Sequence, residues 1–395
     1  MKMKLLTRLT TNVTFLFLLA LSAATSAFAG TVYVANVEEL YTAVNDPANV
    51  GTTIELAAGI YMLSVNDPFG IPRPNRGRLE LKENMSIIGV PGDRSAVVIS
   101  AFDLPATSFQ TVGPSAALRA GLGTNSIEWL TVRDARFGQA NIDTGLQAPG
   151  TAYVRIAHVA TTGSARGLNV INFGPAASGE TIEIDIIDSD FFNNTFGLSE
   201  GLRIGNFQGA IGSTVNARME GNRSWGNKQG RLVVNNRAIN STVNVRSSGN
   251  RFYDNGAGTI LIGGLSSNNT TANGNTINFQ AFGDHFNENT GPADFDIGGL
   301  VVVGGENISI PNGTNDNTIN VLLWGCRMAE NNTYDLLGIG ARSAPVSLGS
   351  PGINNRVSIT IKGEGNGKGK WQPVEFFTET IPIALPGTNS VTVNR

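Results

Sequence analysis

The residues best placed for chemistry are Glu183 and Asp185, two carboxylates in the run Thr181-Ile182-Glu183-Ile184-Asp185. In an extended chain, side chains two positions apart point the same way, so the two carboxylates share one face. The next two related runs, Thr214-Val215-Asn216-Ala217-Arg218 and Thr242-Val243-Asn244-Val245-Arg246, put arginine in place of Asp185 and asparagine in place of Glu183. β-Elimination from an acidic sugar needs its carboxylate neutralised and a proton taken beside it. Those tasks nominate Arg218 and Arg246 as catalytic groups. Asn216, Asn244 and, from a second kind of run, Arg203 are the candidates for holding substrate. The plainer alternative is a solvated face with ion pairs between neighbouring runs.

Other groups offer less. Asp185, Asp188 and Asp190 only loosely resemble the paired carboxylates of glycoside hydrolysis. His158 reads as a structural histidine facing inward or in a turn. His285 reads as an exposed turn residue where sister runs carry Arg223 and Arg251; neither histidine has a second ligand at metal spacing. Cys326, the single cysteine, takes a turn position held elsewhere by Asn or Asp and reads as a small buried residue. Arg133-Asp134 with Arg136 reads as a salt bridge, and the glycine-rich stretch 363–370 lacks the Gly-Lys-Ser/Thr of a phosphate loop.

What must position these residues is a repeat. Ile182-Glu183-Ile184, Val215-Asn216-Ala217, Val243-Asn244-Val245, Ile277-Asn278-Phe279, Ile319-Asn320-Val321 and Val357-Ser358-Ile359 open six similar segments, five of them after a threonine. Apolar and polar residues alternate as in a strand with one buried face. A Gly/Asn turn follows (Asn222, Asn250, Asp284), then a further asparagine (Asn227, Asn255, Asn289, Asn331) and a second β-run. Starts lie 28 to 42 residues apart, which suits coils with loop insertions. One repeat cannot bury its own apolar face, so the repeats must stack into a solenoid. Stacking aligns outward rows: Arg155, Glu183, Asn216, Asn244, Asn278, Asn320 and Ser358, and beside them Asp185, Arg218, Arg246, Gln280, Leu322 and Thr360. Turn asparagines tolerate left-handed backbone and, once stacked, can bond in a ladder. Phe192, Trp225, Phe252 and Phe286 read as core stacking, with Trp225 the one whose exposure matters. The second β-run gives a row Asn169, Arg203, Val233, Leu261, Val302 and Leu337. An aliphatic stripe of that length calls for cover by the C-terminal tail or long loops, or else serves as an oligomer contact.

With these repeats the chain, over roughly residues 31 to 390, resembles the right-handed parallel β-helix proteins of the pectin-lyase-like superfamily. Thr31 to Val34, the amphipathic stretch from Val37, Thr53 to Leu56 and Gly59-Ile60-Tyr61 look like that family's N-terminal cap. The resemblance implies an all-β fold, a right-handed parallel β-helix with a short N-terminal capping helix. It also implies polysaccharide as substrate or partner, lyase before hydrolase, because lyases of this fold use an arginine or lysine base with calcium held by acids, for which Arg218, Arg246, Glu183 and Asp185 offer the residue types. The Asn-Thr-Asp, Asp-Asp and Gly-His-Gly signatures of the hydrolases are absent. A non-catalytic adhesin or carbohydrate-binding scaffold is the alternative.

Residues 1–29 read as an export signal: Lys2, Lys4 and Arg8, an apolar centre from Phe15 to Leu21, and Ala27-Phe28-Ala29 before the cut. The apolar run is too short to span a bilayer. Residues 30–395 then form one domain: cap 30–65, coils about 79–362 and a tail 363–395. With one cysteine there is no internal disulfide, so stability must come from the stack. Only 15% of residues are charged and the net charge is −3. No basic stripe is visible in the sequence, which argues against nucleic acid. A secreted or periplasmic protein meeting polysaccharide or cell-surface glycan fits best.

Overall fold

The structure, a computed structural model, describes residues 30–109, 115–137, 140–145, 150–197, 200–228, 230–256, 258–266, 271–288, 298–307, 313–329, 331, 334–343, 352–363, 374–380 and 388–395. The expected export signal (1–29), Asn289 and residues 364–373 lie outside them. From Thr151 to Ser343 each coil makes a seven-residue strand, a sharp corner, a three-residue strand, a second turn and a strand of seven to ten residues. Strands of one kind stack in chain order into three parallel sheets of twelve, nine and ten strands among the described residues. This is the expected right-handed parallel β-helix, with right-handed connections as parallel strands require.

The repeated threonines lie in register, Thr181 on Thr214, Thr242, Thr276 and Thr318. Ile182, Val215, Val243, Ile277 and Ile319 are all fully buried beneath them, each contributing about 2 kcal/mol of apolar burial. The first corner has positive φ on eight successive coils: Trp129, His158 and Asp188, then Gly221, Gly249, Gly283, Gly325 and Gly363. Later coils use glycine there because it takes this backbone without a Cβ penalty. The residue after it turns inward, making the column Ser189, Asn222, Asn250, Asp284 and Cys326, all fully or almost fully buried.

That inward column is a hydrogen-bonded ladder. Asn250 Oδ1 accepts from Asn222 N at 2.8 Å and from its Nδ2 at 2.9 Å, while Asn222 Nδ2 also reaches Ile186 O at 2.7 Å. Asn227 and Asn255 build a second ladder, and Asn275, Asn317, Asn355 and Asn389 a third. Cys326 is buried as expected and its thiol is pushed up to about 12 by burial.

A helix, Val37–Asn45, covers the first coil. Asn36 caps it by accepting from Glu39 N at 3.0 Å, and Glu39 returns the bond to Ala35 N at 2.7 Å. At the other end, the expected tail includes two further strands, Val374–Thr380 on the ten-stranded sheet and Ser390–Asn394 on the twelve-stranded one.

Two outward rows differ from expectation. In the twelve-stranded sheet, Tyr153, not Arg155, stands beside Glu183, and Arg155 stands beside Asp185. In the ten-stranded sheet, Val233 pairs with Ile260 and Ile260 with Val301, so Leu261 and Val302 face the core. A one-residue slip exchanges the two faces of a strand. The corrected stripe is not open surface: Val233, Ile260, Val301 and Leu337 are at most 8% exposed. They form a second apolar cluster with Ile262, Leu265, Val303 and Ile339, against which Tyr334 packs.

Candidate functional site

The twelve-stranded sheet carries an open groove of about 770 Å³ across its outer face, lined by Tyr153, Arg155, Glu183, Asp185, Asn216, Arg218, Asn244, Arg246, Asn278 and Gln280 among others. Six of the seven sequence candidates meet here. Parallel pairing sets Asp185, Arg218, Arg246 and Gln280 side by side on consecutive coils, about 4.8 Å apart.

Asn216 and Asn244 belong to an outward amide ladder. Asn216 Nδ2 donates to Glu183 Oε1 at 2.6 Å, Asn244 to Asn216 at 2.7 Å, Asn278 to Asn244 at 2.8 Å and Asn320 to Asn278 at 2.9 Å. Each amide spends one hydrogen and one lone pair along the stack. It keeps another hydrogen and another lone pair for a ligand. The ladder fixes these groups as a straight row, with Tyr153, 53% exposed, at one end.

The charges of the groove are balanced. Arg155 Nε donates to Glu128 at 3.1 Å, and Arg218 pairs with Glu220 at 2.6 Å. Both pairs lie near solvent, and such pairs contribute at most about 1 kcal/mol. Arg246 lies over the Phe282 ring, 5.3 Å from its centre. Among the described residues Asp185 has no hydrogen bond or ion pair.

Glu183 and Asp185 do not by themselves suit a resident calcium ion. Calcium takes six to eight oxygens, Glu183 already accepts from Asn216, and no group of three His, Cys, Asp or Glu is found among the described residues.

Arg203, the seventh candidate, is elsewhere. It lies on the ten-stranded sheet, 7% exposed, paired with Glu200 and set 5.3 Å from the Phe207 ring centre. Burial, with Arg166 beside it, pushes its guanidinium down to about 9. The expected exposure fails because its guanidinium is buried among Glu200, Arg166, Arg237 and Phe207. Asp185, Asp188 and Asp190 are likewise separated: one in the groove, one at the corner, one on the nine-stranded sheet. His158 sits at the corner, stacked on Trp129 at 3.9 Å. Arg133 pairs with Asp134 at 3.3 Å.

Sequence reading missed a row on the outer face of the nine-stranded sheet, where Asp190, Arg223, Arg251, His285 and Arg327 stand in register. The absence of a basic stripe from the linear sequence is thus overturned in space. The signal was one basic residue right after each turn, visible only once coils are aligned.

No protein-family model matches the chain, and neither does any curated protein sequence. Solved structures with a similar course include pectate lyase Pel9A, 15% identical over 78% of each chain with a TM-score of 0.40. The polygalacturonase from Erwinia carotovora ssp. carotovora is 13% identical, covering 92% of this chain and 96% of its own, at 0.47. The periplasmic alginate epimerase AlgG is 10% identical, covering 92% and 84%, at 0.33. The likeness is one of fold. No helix among the described residues is long and apolar enough to cross a membrane.

Proposed function

We propose that this chain is an exported protein that binds a polysaccharide laid along the groove of the twelve-stranded sheet, across the coils. The observation that carries this reading is the amide ladder from Glu183 to Asn320, beside Arg218 and Arg246 at one group per coil. A regular row of half-satisfied amides suits a chain with hydroxyls at a regular interval. Balanced charge makes that recognition depend on hydrogen bonds more than on salt. The signal-like residues 1–29 support export to the periplasm or medium, where such chains are met.

Polyuronate lyase activity is the second reading, favoured by the unpartnered Asp185 beside Arg218 and Arg246 in one row. Both arginines are exposed, so each can meet a substrate carboxylate with its forked donors. Calcium would need ligands from substrate and water as well as Glu183 and Asp185.

The test is to incubate the purified protein with polygalacturonate, alginate and a neutral glucan, with and without calcium, following both binding and ultraviolet absorbance. Binding that weakens in Tyr153→Ala and Arg246→Ala, with flat absorbance, supports the scaffold. Rising absorbance, abolished by Arg218→Ala or Arg246→Ala, establishes the lyase instead. Binding unaffected by these variants, or none at all, overturns the groove.

A further inference from the structure

The outer face of the nine-stranded sheet carries four basic groups on consecutive coils, Arg223, Arg251, His285 and Arg327. Among the described residues only the first is neutralised by a near carboxylate: Asp190 takes Arg223 in two bonds of 2.8 and 2.7 Å. Asp190 is also met by Arg94, which reaches along the stack to within 3.2 Å. Among the described residues, Arg251 and Arg327 are exposed and have no hydrogen bond or ion pair. Asp254 and Glu288 lie at the far corner of the short strands, and neither is paired with them. Burial first, then Arg251 and Arg327, hold the His285 imidazole below its ordinary value, a local sign of the positive potential.

Beside this row runs a second one of aromatic rings. Phe192 stacks on Trp225 at 4.6 Å and Trp225 on Tyr253 at 5.8 Å, in each case within 5° of parallel. Arg223 sits 5.5 Å from the centre of the Trp225 ring. Trp225 is held between the other two rings, and the three make a stiff row beside Arg223 and Arg251. Like charges in neighbouring coils repel one another, and nothing in the inward packing calls for arginine at these exposed positions. Their alignment makes an attractive rail for a negatively charged chain.

We infer that this face is a second binding surface, taking an acidic polysaccharide laid along the stack axis over Arg223, Arg251, His285 and Arg327. The coil spacing of about 4.8 Å is comparable to the length of one pyranose unit, so carboxylates two units apart can meet Arg251 and Arg327, with His285 between them as a hydrogen-bonding group. A polysaccharide is favoured over a single-stranded nucleic acid because both faces of Trp225, which would stack on bases, are already occupied. The surface is separate from the groove and does not depend on it.

Polygalacturonate, a neutral glucan and a single-stranded oligonucleotide of matched charge serve as probes of the full chain. Binding is measured at low and moderate salt for the wild type, Arg251→Gln with Arg327→Gln, and the groove variant Arg246→Ala. Both glutamine changes are at exposed positions, and an unaltered circular dichroism spectrum and melting curve establish that the fold is kept. The expected result is polygalacturonate affinity that falls with salt and drops about tenfold in the double variant, as screened surface attraction requires. A neutral glucan should not compete, and Arg246→Ala should retain the salt-dependent component. Loss of that component in Arg246→Ala but not in the double variant overturns the proposal while sparing the groove. Preference for the oligonucleotide, or no salt-dependent binding, overturns it too.

Discussion

Of the asparagine ladders along this molecule, two share the same coil spacing and the same coils, one inside and one outside. The outer ladder, Glu183 to Asn320, bonds amide to amide in the groove and leaves part of each amide to solvent. The inner one, Asn222 to Asp284, bonds amide to amide, to the backbone of its neighbour, and to the carbonyl behind it. The outer amides can exchange a partner for water or sugar at little cost. The inner ones cannot, because a buried polar group left unpaired costs about 1–3 kcal/mol. Residue type and spacing are shared, so burial alone separates a binding row from a structural one.

The inner ladder should break hardest. Asn250→Ala strips the acceptor from two Asn222 donors and the donor from Met219 O. The expected loss is about 3 kcal/mol, seen as a lower denaturation midpoint in urea. Asp284 sharpens the contrast through pH. It occupies an amide position, and burial pushes its carboxyl up to about 7 from an ordinary 3.8. Folded-state protonation is thus favoured: the stability it contributes is complete below about pH 4 and lost as pH rises through about 7. Wild-type protein should melt progressively lower from pH 5 to 8. Asp284→Asn should flatten that slope and melt higher at pH 8. Some slope should remain, since buried Asp143, pushed up to about 6, titrates in the same sense.

In the outer ladder, Asn244→Ala removes one link on either side. The melting temperature should hardly move, a loss of about 1 kcal/mol or less, while polysaccharide binding in the groove weakens several-fold. Stability changing more than binding would reverse the comparison. Arg218→Ala is the smallest expected effect on stability, at most about 1 kcal/mol, because its pair with Glu220 is exposed.

Much of this was legible in sequence. Threonine-led alternation located the strands from Thr181 to Thr318 and their register, while Arg155 on the preceding coil was set two residues off; the cap was read to within a residue of its helix. Cys326 was placed inside by analogy with Asn222 and Asn250. The ten-stranded sheet was harder: Leu232-Val233-Val234 and Ile260-Leu261-Ile262 are apolar on both faces. With no alternation to anchor them, the stripe slipped by one residue, and Arg203 was taken for surface.

The sequence by itself determined the coil, since apolar alternation, a glycine corner and an inward asparagine are local and recur on each turn. Only the tertiary structure decided which outward residues meet solvent and which charges become neighbours. Arg223, Arg251, His285 and Arg327 are about thirty to forty residues apart in the chain and adjacent in space, because lateral pairing between coils makes a row that no single coil contains.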